Sequence, residues 1–200
     1  MTAPEPPEGA PARGALRVTA SRIVYENHWM RLREDRTLLP DGSPGLYSVV
    51  EKPPAAVIVP CDGDRMWLVN QYRHPVGERF WELPQGAWEE RPDAIPEEIA
   101  RGELAEETGL RAGTMVHLGR MFYNYGFANQ RFDVWHASDL VEGEQRLELT
   151  EQGLEVGCFG LAEVDALILD GSIADAASVA AIGLLRLRAD AGADAGGAGA

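Results

Sequence analysis

The segment PEEIARGELAEETGL, residues 96–110, decides the fold, and it begins with the signals of a helix N-terminus. Proline suits an early helical position, and the two glutamates after it are stabilised by the positive end of the helix dipole. Gly109 supplies the left-handed conformation that ends a helix. Together these signals predict one helix from about Pro96 to Thr108.

Three carboxylates of this helix share one face. Each residue advances about 100° around the axis, which places Glu103, Glu106 and Glu107 within an arc of about 100°. A solvated face is the common explanation, but no lysine follows four residues after Glu103 or Glu106, and like charges at this spacing repel. Mg²⁺ prefers oxygen ligands and is typically shared between carboxylates and substrate phosphates. The pattern therefore indicates a cation site.

The rest of the chain is predicted to be rich in strands. FWELPQG, residues 80–86, reads as a strand that enters a Pro-Gly loop and brings main-chain carbonyl groups beside the carboxylates. Other strands are expected near residues 16–25, 28–38, 46–52, 55–60, 65–73, 115–123, 131–137 and 155–160. Two more helices are expected, from about Ala162 to Leu169 and from an N-cap near Asp175, the latter packing through Val179, Ile182 and Leu185.

Composition excludes several classes of protein. The chain has 200 residues with 32 acidic and 18 basic side chains, a formal net charge of −14 that argues against a nucleic-acid-binding surface. Two cysteines, Cys61 and Cys158, are too few for a disulfide framework and favour the reduced cytoplasm. No run of about 18 apolar residues and no leader pattern is present, so we expect neither a membrane nor a secreted protein.

The PQG loop and ARGELAEETGL, residues 84–86 and 100–110, together resemble the Nudix box. The match covers every fixed position after the box arginine: Glu103, Leu104, Glu106, Glu107, Gly109 and Leu110. Gly102 occupies the arginine position, for which Arg101 or Arg91 is a substitute. The spacing from Gly86 is two residues longer than usual, which leaves Glu89, Glu90 and Asp93 as alternatives for the first box glutamate.

Residues 16–188 resemble the ADP-ribose pyrophosphatase branch of the Nudix hydrolases. The resemblance rests on NQYRHPVGERFWELPQG (70–86), the C-terminal stretch 172–185, and the segments ENHWMRLRED (26–35) and DGSPGLYSVVEKP (41–53). It implies an α/β (α+β) fold, an α/β/α sandwich with a mixed sheet, and a small antiparallel β subdomain that forms a homodimer. We expect the subdomain at 15–53, the hydrolase domain at 54–189, and disordered tails at 1–14 and 190–200.

The same resemblance implies the metal site. Glu103 and Glu107 are the principal ligands, Glu106 supports them, and the carbonyl group of Gln85 completes one coordination sphere. The cofactor is Mg²⁺, with Mn²⁺ as a substitute, in two or three ions. A general base is expected in the loop 142–155, with Glu151 as first choice and Glu148 and Glu144 as alternatives.

Substrate contacts are also implied by the resemblance. Arg73 is expected to clamp phosphate, with Arg79 as a weaker candidate, and Glu82 to orient the loop or the ribose. Trp29 and Tyr47 resemble an aromatic pair that sandwiches a base with one ring from each subunit. Without the resemblance, both rings would be assigned to the core. For Arg73, the alternative is a surface or interstrand arginine.

The predicted activity is Mg²⁺-dependent hydrolysis of the pyrophosphate bond of a nucleoside diphosphate sugar, ADP-ribose first, to AMP and ribose 5-phosphate. GDP-mannose, another nucleotide sugar or a dinucleotide is the alternative substrate. A non-catalytic Nudix module that binds a nucleotide sugar as a sensor is the alternative from another class.

Overall fold

The computed structural model describes residues 14–87, 93–147 and 152–197. In this part of the chain there are ten strands and three helices. The strands are β1 (Arg17–Glu26), β2 (Arg31–Leu38), β3 (Pro44–Glu51), β4 (Ala55–Asp62), β5 (Arg65–Arg73), β6 (Glu78–Glu82), β7 (Gln85–Gly86), β8 (Leu110–Phe122), β9 (Arg131–Glu142) and β10 (Glu155–Gly160). The helices are α1 (Pro96–Thr108), α2 (Leu161–Leu169) and α3 (Ala176–Gly197).

The chain forms two compact units. The smaller one holds residues up to 52 together with 126–129, and the larger one holds 53–125 and the residues from 130 onward. The smaller unit is an antiparallel sheet in the order β1-β2-β3. Its central strand β2 carries buried Asp35, to which Arg33 donates at 2.9 Å, whereas β1 is exposed along its whole length.

The larger unit is built on a mixed sheet in the order β10-β5-β4-β9-β8. Strands β4 and β9 run parallel, and the other pairs on this path are antiparallel. The second half of β4 pairs with β5, while its first half pairs with the short strand β7. Strand β6 pairs with the outer part of β5, so β6 and β7 bring the Pro-Gly loop to the middle of the sheet.

Helices cover both faces of this sheet. Successive β4 residues point to opposite faces, and Ala56 and Ile58 pack with Leu104 of α1 on one side. Val57 and Val59 pack with α2 and α3 on the other side, in a cluster that includes Ile182. The predicted α/β/α sandwich with a mixed sheet is therefore confirmed, together with the small antiparallel sheet.

Local predictions mostly agree with these bounds. The α1 helix has the predicted ends, with Pro96 in its first turn and Gly109 at φ 74°. One detail was wrong. In α3, Val179 is exposed while Ile182 is buried, so the face of the helix that packs does not include Val179. The same helix continues to Gly197.

Candidate active site

Two of the predicted carboxylates are held inside the protein by α1. Ile99 and Leu104 of this helix pack against the sheet, and the neighbouring Glu103 and Glu107 are turned inward with them. Glu103 is 6% exposed and Glu107 is 1% exposed, whereas Glu106 is half-buried. Burial of two acidic side chains one turn apart is costly unless positive charge or hydrogen-bond donors meet them.

Gly86 lies directly against the Glu103 carboxylate. A Cβ atom built on Gly86 would stand 2.5 Å from the carboxylate carbon of Glu103, closer than non-bonded carbon atoms approach. Any side chain at this position would occupy the volume that the carboxylate now fills. The glycine of the PQG loop therefore leaves room for the Glu103 carboxylate, and this close approach, rather than a turn, explains its presence.

The main chain of Gln85 meets the other carboxylate. The Ile58 amide donates to the Pro84 carbonyl at 2.9 Å, so the next pair along, Val57 and Gln85, is a pair whose main-chain groups point away from each other. The Gln85 amide accordingly donates to Glu107 Oε2 at 3.0 Å. Because N–H and C=O of one strand residue point to the same side, the Gln85 carbonyl is directed toward α1 as well.

The side chain of Gln85 points to the opposite face and is bonded at both ends. Its Nε2 donates to Asp175 Oδ2 at 2.9 Å and, more weakly, to Glu82 Oε2 at 3.4 Å. Its Oε1 accepts from the Tyr123 hydroxyl at 2.9 Å. Burial, then the negative charge of Asp175, raises the pKa of that hydroxyl far above its usual value. Tyr123 and Asp175 thus belong to the site, although the sequence singled out only Asp175, as a helix cap.

Arg73 and Glu82 form a salt bridge beside this loop. The two Arg73 nitrogens Nη2 and Nε lie 2.7 Å and 3.2 Å from the two carboxylate oxygens of Glu82. Burial raises the pKa of the Glu82 carboxyl, and Arg73 offsets only part of that shift. Burial would lower the pKa of the Arg73 guanidinium, but the negative charges of Glu82, Glu107 and Asp175 outweigh it and raise that pKa. Because the negative charge of Glu107 contributes to the raised pKa of Arg73, this guanidinium interacts electrostatically with a carboxylate of α1.

Arg79 is not brought to the cluster. In the β5–β6 hairpin Arg79 pairs with Tyr72, whereas Glu82 pairs with Val69, so the two side chains of β6 lie on opposite faces. The Arg79 guanidinium donates to Asn70 Oδ1 at 2.8 Å and to the Gly153 carbonyl at 2.7 Å. These contacts assign it to joining β5 with the end of the loop before β10.

The loop predicted to carry the general base follows β9 and is hydrogen-bonded to the last turn of α1. The Arg146 amide donates to the Glu106 carbonyl at 3.0 Å, and Gln145 Nε2 donates to the Glu107 carbonyl. Glu144 is exposed. Glu148 and Glu151 lie outside the described residues, as do Glu89, Glu90 and Arg91. Arg101, the other proposed substitute for the box arginine, pairs with Glu97 at 2.9 Å and donates to the Ala112 carbonyl at 2.8 Å.

The two predicted base-stacking residues belong to the smaller unit. Trp29 follows β1 and is 57% exposed, and its amide donates to Asn27 Oδ1 at 3.0 Å. Tyr47 in β3 is 41% exposed, and its hydroxyl donates to the Gly126 carbonyl at 2.5 Å. Neither ring is buried, so the alternative assignment of both to a hydrophobic core is wrong.

The donor set around α1 fits a hard cation. Glu103, Glu107 and the Gln85 carbonyl offer only oxygen atoms, which Mg²⁺ and Mn²⁺ prefer over softer metals. Within residues 14–87, 93–147 and 152–197, no three His, Cys, Asp or Glu side chains are already grouped as a metal site. Mg²⁺ usually takes one or two carboxylates and fills its sphere with water and phosphate, so a third side chain is not needed.

Comparison with known proteins agrees with this geometry. The model of the NUDIX domain matches residues 51–181, and that of the nucleoside diphosphate sugar hydrolase N-terminal domain matches residues 17–50. The chain belongs to the Nudix hydrolase family. It is a Nudix pyrophosphohydrolase of the ADP-ribose pyrophosphatase-like branch, as the resemblance predicted.

Relatives and a solved structure cover most of this Nudix chain. An ADP-ribose pyrophosphatase of Mycobacterium tuberculosis is 33% identical over 82% of the chain and 79% of its own length. One of Bacillus subtilis is 31% identical over 84% and 91%. The crystal structure of an ADP compounds hydrolase superposes with a TM-score of 0.76 at 20% identity, over 88% of this chain and 95% of that one, which supports the fold. Within the described residues, no helix has the length and apolar character needed to cross a membrane.

Proposed function

We propose that this Nudix enzyme hydrolyses the pyrophosphate bond of a nucleoside diphosphate sugar in a Mg²⁺-dependent reaction, with ADP-ribose as first substrate. The observation that carries the proposal is the pair of buried carboxylates, Glu103 and Glu107, against the Gln85–Gly86 main chain. The names of the two relatives, both ADP-ribose pyrophosphatases, supply the choice of substrate.

Glu103, Glu107 and the Gln85 carbonyl would hold the cations, with Glu106 as a supporting ligand. When bound, two or three Mg²⁺ ions polarise the phosphoryl oxygens and lower the pKa of coordinated water. Bound cations would compensate the negative charge of the Glu103 and Glu107 carboxylates, which accounts for their burial. An acidic chain also needs that compensation to accept a negatively charged substrate.

Arg73 is proposed to grip the substrate phosphates. Glu82 already engages Nε and Nη2 of Arg73, which fixes the plane of the guanidinium. The Arg73 side chain is 40% exposed, and its Nη1 is left for a phosphate oxygen. A guanidinium cannot lose its charge near neutral pH and offers directed donors. Glu82 therefore acts on the substrate through Arg73 rather than by direct contact.

The bond that breaks lies between a phosphorus atom and the bridging oxygen. A water oxygen forms the new bond to phosphorus, the bridging oxygen leaves with the other product, and a carboxylate takes the water proton. We propose Glu151 for that carboxylate, with Glu148 and Glu144 as alternatives, because Gln145 and Arg146 of their loop hydrogen-bond to the last turn of α1. Single Glu→Gln changes that spare metal binding but abolish turnover would identify the base.

Trp29 and Tyr47 are proposed to stack on the nucleobase, one ring from each subunit of a homodimer. Their exposure supports this assignment, since flat aromatic faces bind a base with little loss of side-chain freedom. Light scattering at micromolar concentration tests it directly. A monomeric wild-type chain with full activity contradicts the two-subunit arrangement.

A substrate panel tests the proposed activity. Wild-type protein is incubated with ADP-ribose, GDP-mannose, UDP-glucose and a dinucleotide, with Mg²⁺ or with EDTA, and released monophosphates are quantified. ADP-ribose cleaved fastest, and only with Mg²⁺, supports the proposal. Faster cleavage of another member overturns the choice of substrate, and binding of every member without product release overturns the catalytic assignment in favour of a sensor.

A further inference from the structure

The segment Leu83–Gly86 is held on both sides of Pro84 by helix α3. The Leu83 amide donates to Ser178 Oγ at 2.9 Å, and Ser178 is fully buried. Past the proline, the Gln85 side chain donates to Asp175 Oδ2 at 2.9 Å. Two residues of one helix terminus therefore fix the two residues that flank the proline.

Asp175 does more than cap the helix. Its Oδ2 accepts from the Ser178 amide at 2.8 Å and from the Ser178 hydroxyl at 2.7 Å, which is the normal work of an N-cap side chain. The same oxygen also accepts from Gln85 Nε2, so the cap reaches across to the sheet. We call these four residues, Gln85, Tyr123, Asp175 and Ser178, the Gln85 network.

The network fixes the orientation of the Gln85 amide. Two carboxylates, those of Asp175 and Glu82, face its NH₂ group, and the Tyr123 hydroxyl faces its oxygen. Only one orientation of the amide satisfies these three partners, because a carboxylate accepts and the hydroxyl can donate. The side chain of Gln85 is thus bonded at both ends, between Tyr123 just after β8 and Asp175 at the start of α3.

The opposite side of the same residue faces the acidic helix. The Gln85 amide donates to Glu107 Oε2 at 3.0 Å, and Gly86 allows the close approach of Glu103. A shift of Gln85 would therefore move its carbonyl and the partner of Glu107 together. We propose that the Gln85 network sets the position of this main chain, and that Tyr123, Asp175 and Ser178 are positioning residues for the metal ligands.

This inference rests on the proposed function, because that function assigns the Gln85 carbonyl and Glu107 to metal. Residues that hydrogen-bond to metal ligands typically contribute about 10-fold to 100-fold in metal affinity or activity. Removing one link of the network should therefore weaken metal binding by about 10-fold while the fold is retained. A residue that only stabilised the protein would lower the melting temperature without that change.

Two variants cut the network at Gln85. Tyr123→Phe removes the donor to Oε1, and Gln85→Ala removes both side-chain links while keeping the main-chain N–H and carbonyl. Tyr125→Phe is the matched control, since Tyr125 is 83% exposed. Val164→Ala, a cavity in the α2 packing, provides a destabilised chain with an intact network.

The first measurement needs no metal. Exchange of the main-chain amide at position 85 in the metal-free protein should be about 10-fold faster in both network variants, as expected for a weakened hydrogen bond. In the controls this amide should exchange like that of the wild type. Wild-type exchange at position 85 in Tyr123→Phe and Gln85→Ala would overturn the positioning assignment.

The second measurement is Mn²⁺ binding without substrate, followed by electron paramagnetic resonance of the free ion. We expect the dissociation constant to rise about 10-fold in the two network variants and to stay within about 2-fold in Val164→Ala. Unchanged affinity in the network variants would overturn the inference while leaving the hydrolase proposal intact. A wild-type protein that cleaves no nucleotide sugar refutes the proposed function, and the exchange experiment still decides the positioning.

Changes at Asp175 separate capping from positioning. Serine is a good N-cap but is too short to reach Gln85, whereas asparagine keeps an acceptor at the same distance. Asp175→Ser should therefore behave like Tyr123→Phe, and Asp175→Asn should restore Mn²⁺ affinity toward wild type. Equal Mn²⁺ affinity in Asp175→Ser and the wild type would show that only the cap matters.

Discussion

The substitution Gly86→Ala should disable the site through one displaced carboxylate. A methyl group at this position would stand 2.5 Å from the carboxylate carbon of Glu103, whereas unstrained carbon contacts are about 3.5–4.0 Å. The carboxylate must therefore move by about 1 Å. Because it ends a flexible side chain, we expect the free energy of unfolding to fall by only about 1 kcal/mol, the low end for overpacking.

The effect on catalysis should be much larger than the effect on stability. A displacement of about 1 Å at a reacting centre costs about 100-fold in rate. The assay is the initial rate of AMP release from ADP-ribose over a Mg²⁺ titration, beside a thermal unfolding curve. We expect kcat to drop about 100-fold and the Mg²⁺ requirement to rise in the same variant.

Two comparisons make this prediction specific. Gly119→Ala, in strand β8, places a methyl group 3.2 Å from Cδ2 of Leu184 in α3 and should leave the rate unchanged. In the Glu103→Gln background, Gly86→Ala should cost little further activity, because two changes that act on one ligand are not additive. Wild-type turnover in Gly86→Ala, or a full additional 100-fold loss in the double variant, refutes the steric explanation.

Other predictions follow from the remaining contacts. Arg73→Lys, measured by steady-state kinetics, should raise KM by about 10-fold, since an ammonium group cannot hold both Glu82 oxygens and a phosphate; an unchanged KM would remove Arg73 from the phosphate site. Burial, with the nearby negative charge of Asp62, raises the pKa of the Cys61 thiol. A thiol reagent at pH 8 should therefore label half-buried Cys158 in the folded protein and Cys61 only after unfolding, and rapid labelling of Cys61 in the folded chain contradicts its burial.

Predictions from the sequence were best where the signals are local. The ends of α1 depend on a proline and a glycine within the helix itself, and both ends were correct. The shared face of Glu103 and Glu107 follows from the 3.6-residue repeat, whereas its inward direction is set by the packing of α1 against the sheet. The α/β/α architecture was carried by the resemblance to the Nudix family, and the comparisons bear it out.

The Gln85 network could not be found in this way. It joins Gln85 to Tyr123, 38 residues further on, and to Asp175, 90 residues further on. Such pairings depend on which strands and helices become neighbours, and no local pattern encodes that. Asp175 had a visible signal as a helix cap, but its second bond is created only by the arrangement of β7 and α3.

Arg73 and Arg79 show how one turn decides a role. Both were candidates for binding phosphate, and they lie on opposite faces of the β5–β6 hairpin. Strand alternation separates them once the hairpin register is known, with Arg73 opposite Glu78 and Arg79 opposite Tyr72. The sequence gives no fixed register for a four-residue connection, so the distinction required the structure.

The most direct experiment compares ADP-ribose hydrolysis by the wild-type chain and by Glu107→Gln over one Mg²⁺ titration. Glu98→Gln, on the exposed part of the same helix, is the control. We expect Mg²⁺-dependent AMP release from the wild type and from Glu98→Gln, and a loss of at least about 100-fold in Glu107→Gln, with all three chains folded by circular dichroism. Turnover by Glu107→Gln near the wild-type rate, or AMP release that persists in EDTA, would contradict the metal site on α1.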